Sequence, residues 1–189
     1  MSLGAGSEAE SKYIEGEKKY LYVLPIGNID QEILQYILKI IEKKFNLPAK
    51  LGTAIKIPDN AFNPVRGQYD ASIMLNGVRA VSPSNTKKVL AVTEEDIFSN
   101  NLNFIFGQAI LGGCCGIISL SRLRAGTDKT NGKQLFLQRV EKEAVHELGH
   151  TFGLRHCSNP RCVMYFSNSL ADTDRKSADF CQECGFPIY

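Results

Sequence analysis

His146-Glu147-Leu148-Gly149-His150-Thr151-Phe152-Gly153-Leu154-Arg155-His156 holds all three histidines of a 189-residue chain. Written as a pattern, it is H-E-x-x-H-x-x-G-x-x-H. Histidines four apart on a helix present their rings on one face, within reach of a single ion. Gly153 is placed to take a left-handed conformation, end the helix and turn the chain so that His156 supplies a third ring. Three protein ligands leave the fourth position of a tetrahedral zinc for water, the pattern of a catalytic site. Glu147, beside His146, is placed to act as general base toward that water and to pass the proton to a leaving amine.

The next residue, Cys157, opens a second group with Cys162, Cys181 and Cys184. C-x4-C followed by C-x2-C is the spacing of a closed four-thiolate zinc site, which has no open position and is structural. Its binding free energy would count as folding energy. The tail needs it, because residues 157–189 offer little core material beyond Val163, Tyr165, Phe166, Leu170, Phe180 and Phe186. His156 and Cys157 share a peptide bond, so the structural ion would fix the third ligand of the catalytic ion. The expected cofactor is therefore Zn2+, two per chain. Cys114 and Cys115, adjacent in an apolar run, read as buried free thiols.

Composition sets the background. With 43% apolar and 22% charged residues and a net charge of +2, the chain is ordinary for a soluble globular protein. Its length fits one domain. No apolar run approaches the roughly 20 residues of a spanning helix, and no signal peptide is evident. The expected compartment is the cytoplasm, where thiols stay reduced, which disfavours a disulfide reading of the four clustered cysteines. Neither a membrane nor nucleic acid is expected as partner. The basic residues from position 155 onward, Arg155, Arg161, Arg175 and Lys176, form no stripe with interleaved aromatics. Residues 1–18 are polar and small, and are expected to form a disordered extension ahead of a single domain over 19–189.

Periodicity predicts a strand over Lys19–Ile26 ended by Pro25, a helix capped by Asp30 and running to about Phe45, and a strand over Ala49–Ile57. A loop follows over Pro58–Pro64, then a short helix over Arg66–Asn76. Strands are predicted at Val89–Thr93, Asn103–Phe106 and Cys115–Leu120, with a polar turn at Gly126–Gly132. A helix is predicted over about Gln134–Gly153. The order gives an α+β, mixed-sheet domain with an irregular cysteine-rich tail. The expected subdomain boundary lies near residues 153–154.

The fused pattern H-E-x-x-H-x-x-G-x-x-H-C-x4-C, then Met164, then C-x-x-C, resembles the archaemetzincins, a family of metzincin zinc metallopeptidases. Val92-Thr93, Asp96-Ile97 and Leu102–Gly107 are similar to family segments, less specifically. The resemblance implies a twisted mixed sheet, an active-site helix carrying His146 and His150, and a small zinc-stabilised C-terminal subdomain. It implies that Met164 lies in a turn beneath the catalytic metal. The residues alone allow Met164 to be ordinary core. The resemblance further implies an edge strand near Asn103–Gly107 that lines the cleft and pairs with extended peptide.

The expected function is a zinc metallopeptidase hydrolysing peptide or unfolded protein by a zinc-bound water with Glu147 as base. A reading from another class is a two-zinc peptide-binding or scaffold protein with little turnover. Retention of Glu147 leans toward the enzyme, since a scaffold would not need it.

Overall fold

Every residue of Leu21–Ile26 is buried, which marks the first strand, β1 (Tyr20–Ile26), as one covered on both faces. A computed structural model describes residues 18–100, 102–127 and 130–185. The expectation of a disordered extension therefore lies, apart from Lys18, outside the described residues, as does Phe186.

After β1 come α1 (Gln31–Phe45), β2 (Ala49–Leu51), β3 (Phe62–Asn63), β4 (Gln68–Asp70), α2 (Ala71–Val81), β5 (Thr86–Thr93) and β6 (Ile97–Phe98). The chain continues through β7 (Gly107–Ala109), β8 (Cys115–Ser119), α3 (Gly132–Thr151) and α4 (Leu170–Arg175). The main sheet has the order β2-β1-β5-β8-β7. Its first four strands are parallel and β7 closes one edge antiparallel to β8. A small sheet, β3-β4-β6, lies apart. The mixed sheet and the long helix carrying His146 and His150 agree with the predicted fold class.

Helices cover both faces of the main sheet. Ile33, Leu34, Ile37 and Ile41 of α1 join Val140, Ala144, Val145 and Leu148 of α3 over one face. Met74, Leu75 and Val78 of α2 cover the other. Asp30 caps α1 through Glu32 N at 2.8 Å, and Asn46 ends it at φ 49°. Cys115 is buried and Cys114 half-buried, both as free thiols. Burial and its neighbour Cys114 push the Cys115 thiol up to about 12. Among the described residues, no helix is long and apolar enough to cross a membrane.

Five expectations need correction. Pro25 does not end β1, which runs on to Ile26. Its carbonyl accepts from Ile55, so its nitrogen faces the side where β2 has already stopped at Leu51, and no ladder donor is lost. The strand predicted over Ala49–Ile57 is only β2 plus one isolated bridge, Ile26 to Ile55.

The helix predicted over Arg66–Asn76 is instead a turn at Gly67 (φ 63°), then β4, then α2. The boundary is Asp70, whose Oδ1 accepts from Ser72 N at 2.8 Å and Ile73 N at 3.3 Å. The strand predicted over Asn103–Phe106 forms only a bridge, Ile105 to Ile97. The carbonyls of Leu102 and Asn103 are taken by Arg66 Nη2 at 2.8 and 2.9 Å, so side chains rather than a ladder satisfy them. The edge strand begins one step later, at Gly107. The tail is also less irregular than expected, since α4 carries a capping box between Ser169 and Asp172.

Candidate active site

The last turns of α3 bring the rings together. His146 and His150 sit one turn apart, and the helix stops at Thr151. Gly153 takes φ 96° and donates to His150 O at 2.9 Å, while Leu154 N donates to Gly149 O at 3.1 Å. This is a Schellman stop, and it swings His156 back over the helix. The turn is anchored from the sheet: Gly112 N donates to His150 O at 2.9 Å and Lys88 Nζ to Thr151 O at 2.6 Å.

The Nε2 atom of His150 lies 3.1 Å from that of His146 and 3.2 Å from that of His156. Nitrogens bound tetrahedrally to one zinc stand roughly 3.3 Å apart, so the set fits a single ion. The other ring nitrogens fix the tautomer. His146 Nδ1 is 2.8 Å from Val163 O and His150 Nδ1 is 2.7 Å from Leu154 O. A carbonyl only accepts, so each Nδ1 carries the proton and each Nε2 keeps a lone pair for metal. Burial drives His146 well below the usual histidine range, with the nearby charge of Lys176 adding to it, and burial lowers His150 and His156 as well. Neutral imidazole is the form that ligates.

Glu147 is 4% exposed and lies against the bare Cα of Gly107 on β7. Burial, then Glu143 one turn earlier, pushes its carboxyl well above the usual range, with Lys176 opposing. Beneath the helix, Met164 is fully buried and its sulfur occupies the space a side chain at Gly149 would need. The three histidines and Glu147 line one cavity of about 540 Å³, whose other walls include Phe104, Gly107 and Phe166. Phe166 packs on His156 with ring centroids 4.9 Å apart.

The four clustered cysteines also converge. Their sulfurs lie within 4.8 Å of one another. Cys157 Sγ is 3.7 Å from Cys181 Sγ, against roughly 3.8 Å for two thiolates on a tetrahedral zinc. Backbone N–H groups of Asn159 and Cys181 point at Cys157 Sγ and Cys162 Sγ, each at 3.4 Å. The backbone N–H of Cys184 holds the Cys181 thiol down at about 7, while burial raises Cys162 and Cys184. Opposite shifts within one cluster are what thiols competing for negative charge produce, and a divalent ion at their centre would favour all four thiolates.

Sequence reasoning missed several contributors. The carbonyls of Val163 and Leu154 carry no side-chain signal. Gly107 lies forty residues before Glu147, and nothing in the sequence marks it as the place where that carboxyl rests. Glu143 lines the cavity and Lys176 is buried behind it at 3.0 Å, a pairing across the fold that nothing in the sequence signals.

The sequence model of Peptidase family M54 matches residues 8–188. The archaemetzincin of Methanocaldococcus jannaschii is 40% identical over 163 residues, covering 86% of this chain and 88% of that protein. The crystal structure of the archaemetzincin of Archaeoglobus fulgidus, complexed with malonate, is 38% identical with a TM-score of 0.76, covering 87% of this chain and 97% of that one. That of the archaemetzincin of Methanopyrus kandleri is 37% identical with a TM-score of 0.79, covering 90% and 93%.

Proposed function

The chain belongs to peptidase family M54 and is a zinc metallopeptidase, and from that premise we propose that it cleaves peptide bonds with Glu147 as general base. His146, His150 and His156 hold the catalytic zinc, and Cys157, Cys162, Cys181 and Cys184 hold a structural one. The observation that carries this reading is the approach of the three Nε2 atoms to within a single coordination shell beside Glu147.

Zinc bound by the three imidazoles would polarise a scissile carbonyl and lower the pKa of a water toward neutrality. Glu147 is the base that takes a proton from the attacking water on a carboxylate oxygen and returns it to the leaving amine. Its burial keeps bulk water from competing for that proton. The Val163 and Leu154 carbonyls hold two of the rings in the ligating tautomer, so no reorientation accompanies binding. The outer edge of β7, Gly107–Ala109, offers backbone groups to an extended substrate. The four-cysteine group organises a C-terminal subdomain from about residue 154, and through Cys157 it fixes the position of His156.

Digestion of a peptide library by the zinc-loaded protein tests this. Cleavage should be stopped by chelator and reduced by about 10²–10⁴ in Glu147→Ala. Equal cleavage by that variant would remove Glu147 as the base. A tight peptide complex without turnover would instead favour a binding protein.

A further inference from the structure

One turn before Glu147 on α3, a second carboxyl group is buried at the same cavity. Glu143 is 3% exposed and lines the cavity beside Glu147. Its Oε1 accepts from Lys176 Nζ at 3.0 Å and from Thr173 Oγ1 at 3.2 Å. The Lys176 side chain is 0% exposed, and its Nζ also points at the carbonyl of Tyr165, 3.5 Å away. Lys176 and Thr173 are not among the residues that line the cavity. The pair is therefore oriented: Glu143 lines the cavity, and the Lys176 ammonium is sealed in protein behind it.

Docking of α4 on α3 does not call for this pair. Arg139 already grips Asp174 with two bonds of 2.7 and 2.8 Å, and Lys142 Nζ reaches the carbonyls of Thr173 and Asp174 at 3.0 and 2.9 Å. Burying two further ions costs desolvation of both, so a fold that needed only packing there is served equally well by apolar residues. What the pair supplies that apolar residues cannot is a dipole, its negative end Glu143, at an otherwise largely apolar wall that includes Leu102, Phe104, Phe106 and Phe166. Arg155, the other charged side chain outside the Glu147 and histidine group, is exposed at the cavity mouth.

We propose that Glu143 is a specificity-determining residue that selects a long cationic side chain, lysine or arginine, at a substrate position next to the scissile bond. This rests on the peptidase reading of the same cavity. The aliphatic stem of such a side chain lies along the aromatic wall, and its charged head reaches Glu143. Lys176 does not cancel the attraction, because a head group touching the carboxylate is closer to it than to the ammonium behind it. Lys176 is a positioning residue: it holds Glu143 against the Tyr165 loop, and Phe166 on that loop forms the adjoining wall. An acidic substrate side chain meets like charge in a site of low dielectric and is rejected.

The test uses the zinc-loaded full chain and peptide sets identical except for lysine, leucine or glutamate at one position, scanned on both sides of the cleaved bond. Wild type should favour lysine over glutamate in kcat/KM by about tenfold or more at one position. Glu143→Gln should abolish that preference. Because Glu143→Gln leaves a buried ammonium unpaired, Glu143→Gln with Lys176→Met is made alongside, and its lysine-to-glutamate ratio should fall to within about threefold of one. Fluorescence anisotropy of the same labelled peptides supplies a second readout. Cleavage with no lysine preference, or one that survives the double substitution, overturns the inference and leaves the peptidase reading standing. Lysine-selective binding without cleavage upholds the inference and counts against the peptidase reading. Unselective binding without cleavage overturns both.

Discussion

A Cβ built on Gly107 would stand 2.6 Å from both Cγ and Oε1 of Glu147, so that carboxyl group lies directly on the glycine's backbone. The edge strand and the active-site helix touch through a position where only hydrogen fits. The atoms in the way are the far end of a flexible side chain, so a methyl group at 107 would be accommodated by moving Glu147. Gly107→Ala should therefore leave the melting temperature nearly unchanged while lowering kcat about 100-fold, the size of effect expected when a catalytic group is displaced by an ångström. Melting curves and steady-state kinetics on the same preparation check this. Full activity in the variant would remove the contact from the account.

The four-cysteine group predicts a different pattern. Cys181→Ser opens a closed shell and should lower zinc content from two ions per chain toward one. It should also lower the melting temperature by about 10 °C or more, since such an ion contributes several kcal/mol to folding. Glu147→Ala should keep both ions and melt near wild type. Elemental analysis and calorimetry of the two variants decide it, and matching melting curves would count against a structural role for Cys181.

Asp96 ties β4 to the segment that follows β8. Arg122 donates to its two oxygens at 2.7 Å each and Gln68 Nε2 donates at 3.0 Å. Burial alone would raise this carboxyl, but the hydrogen bonds from Arg122 and Gln68, with the Arg122 charge, hold it below its ordinary value. A depressed carboxyl stabilises the fold above its unfolded pKa, near 3.9, and that contribution is lost as pH falls through the folded value. The group is 25% exposed, so solvent screening limits the effect to about 1 kcal/mol or less. Asp96→Asn should reduce stability at pH 7 by that amount, and wild type and variant should converge below about pH 4. Urea titrations across pH measure the difference. A constant offset down to pH 2 would contradict the assignment.

The site was far more legible than the segments that frame it. The three histidines and four cysteines fall within 39 positions, so helix periodicity and a glycine stop were enough to bring the rings together on paper. The C′ position of Gly153 and the cap at Asp30 follow from local chemistry and hold. The failures are tertiary. Phe104 and Ile105 have strand composition, yet Arg66 and Gln68 take the neighbouring carbonyls from across the fold. The short helix expected over Arg66–Asn76 is divided at Asp70, where β4 ends and the side chain caps α2. Gly107 and Lys176 gave no signal because each acquires its role only when a distant element arrives beside α3.

The most direct test of the central claim is a crystal structure of the zinc-loaded chain with anomalous diffraction measured across the zinc edge. One peak should lie about 2.0–2.1 Å from Nε2 of His146, His150 and His156 together, and a second about 2.3 Å from the sulfurs of Cys157, Cys162, Cys181 and Cys184. A map with no peak shared by the three imidazoles would contradict the account.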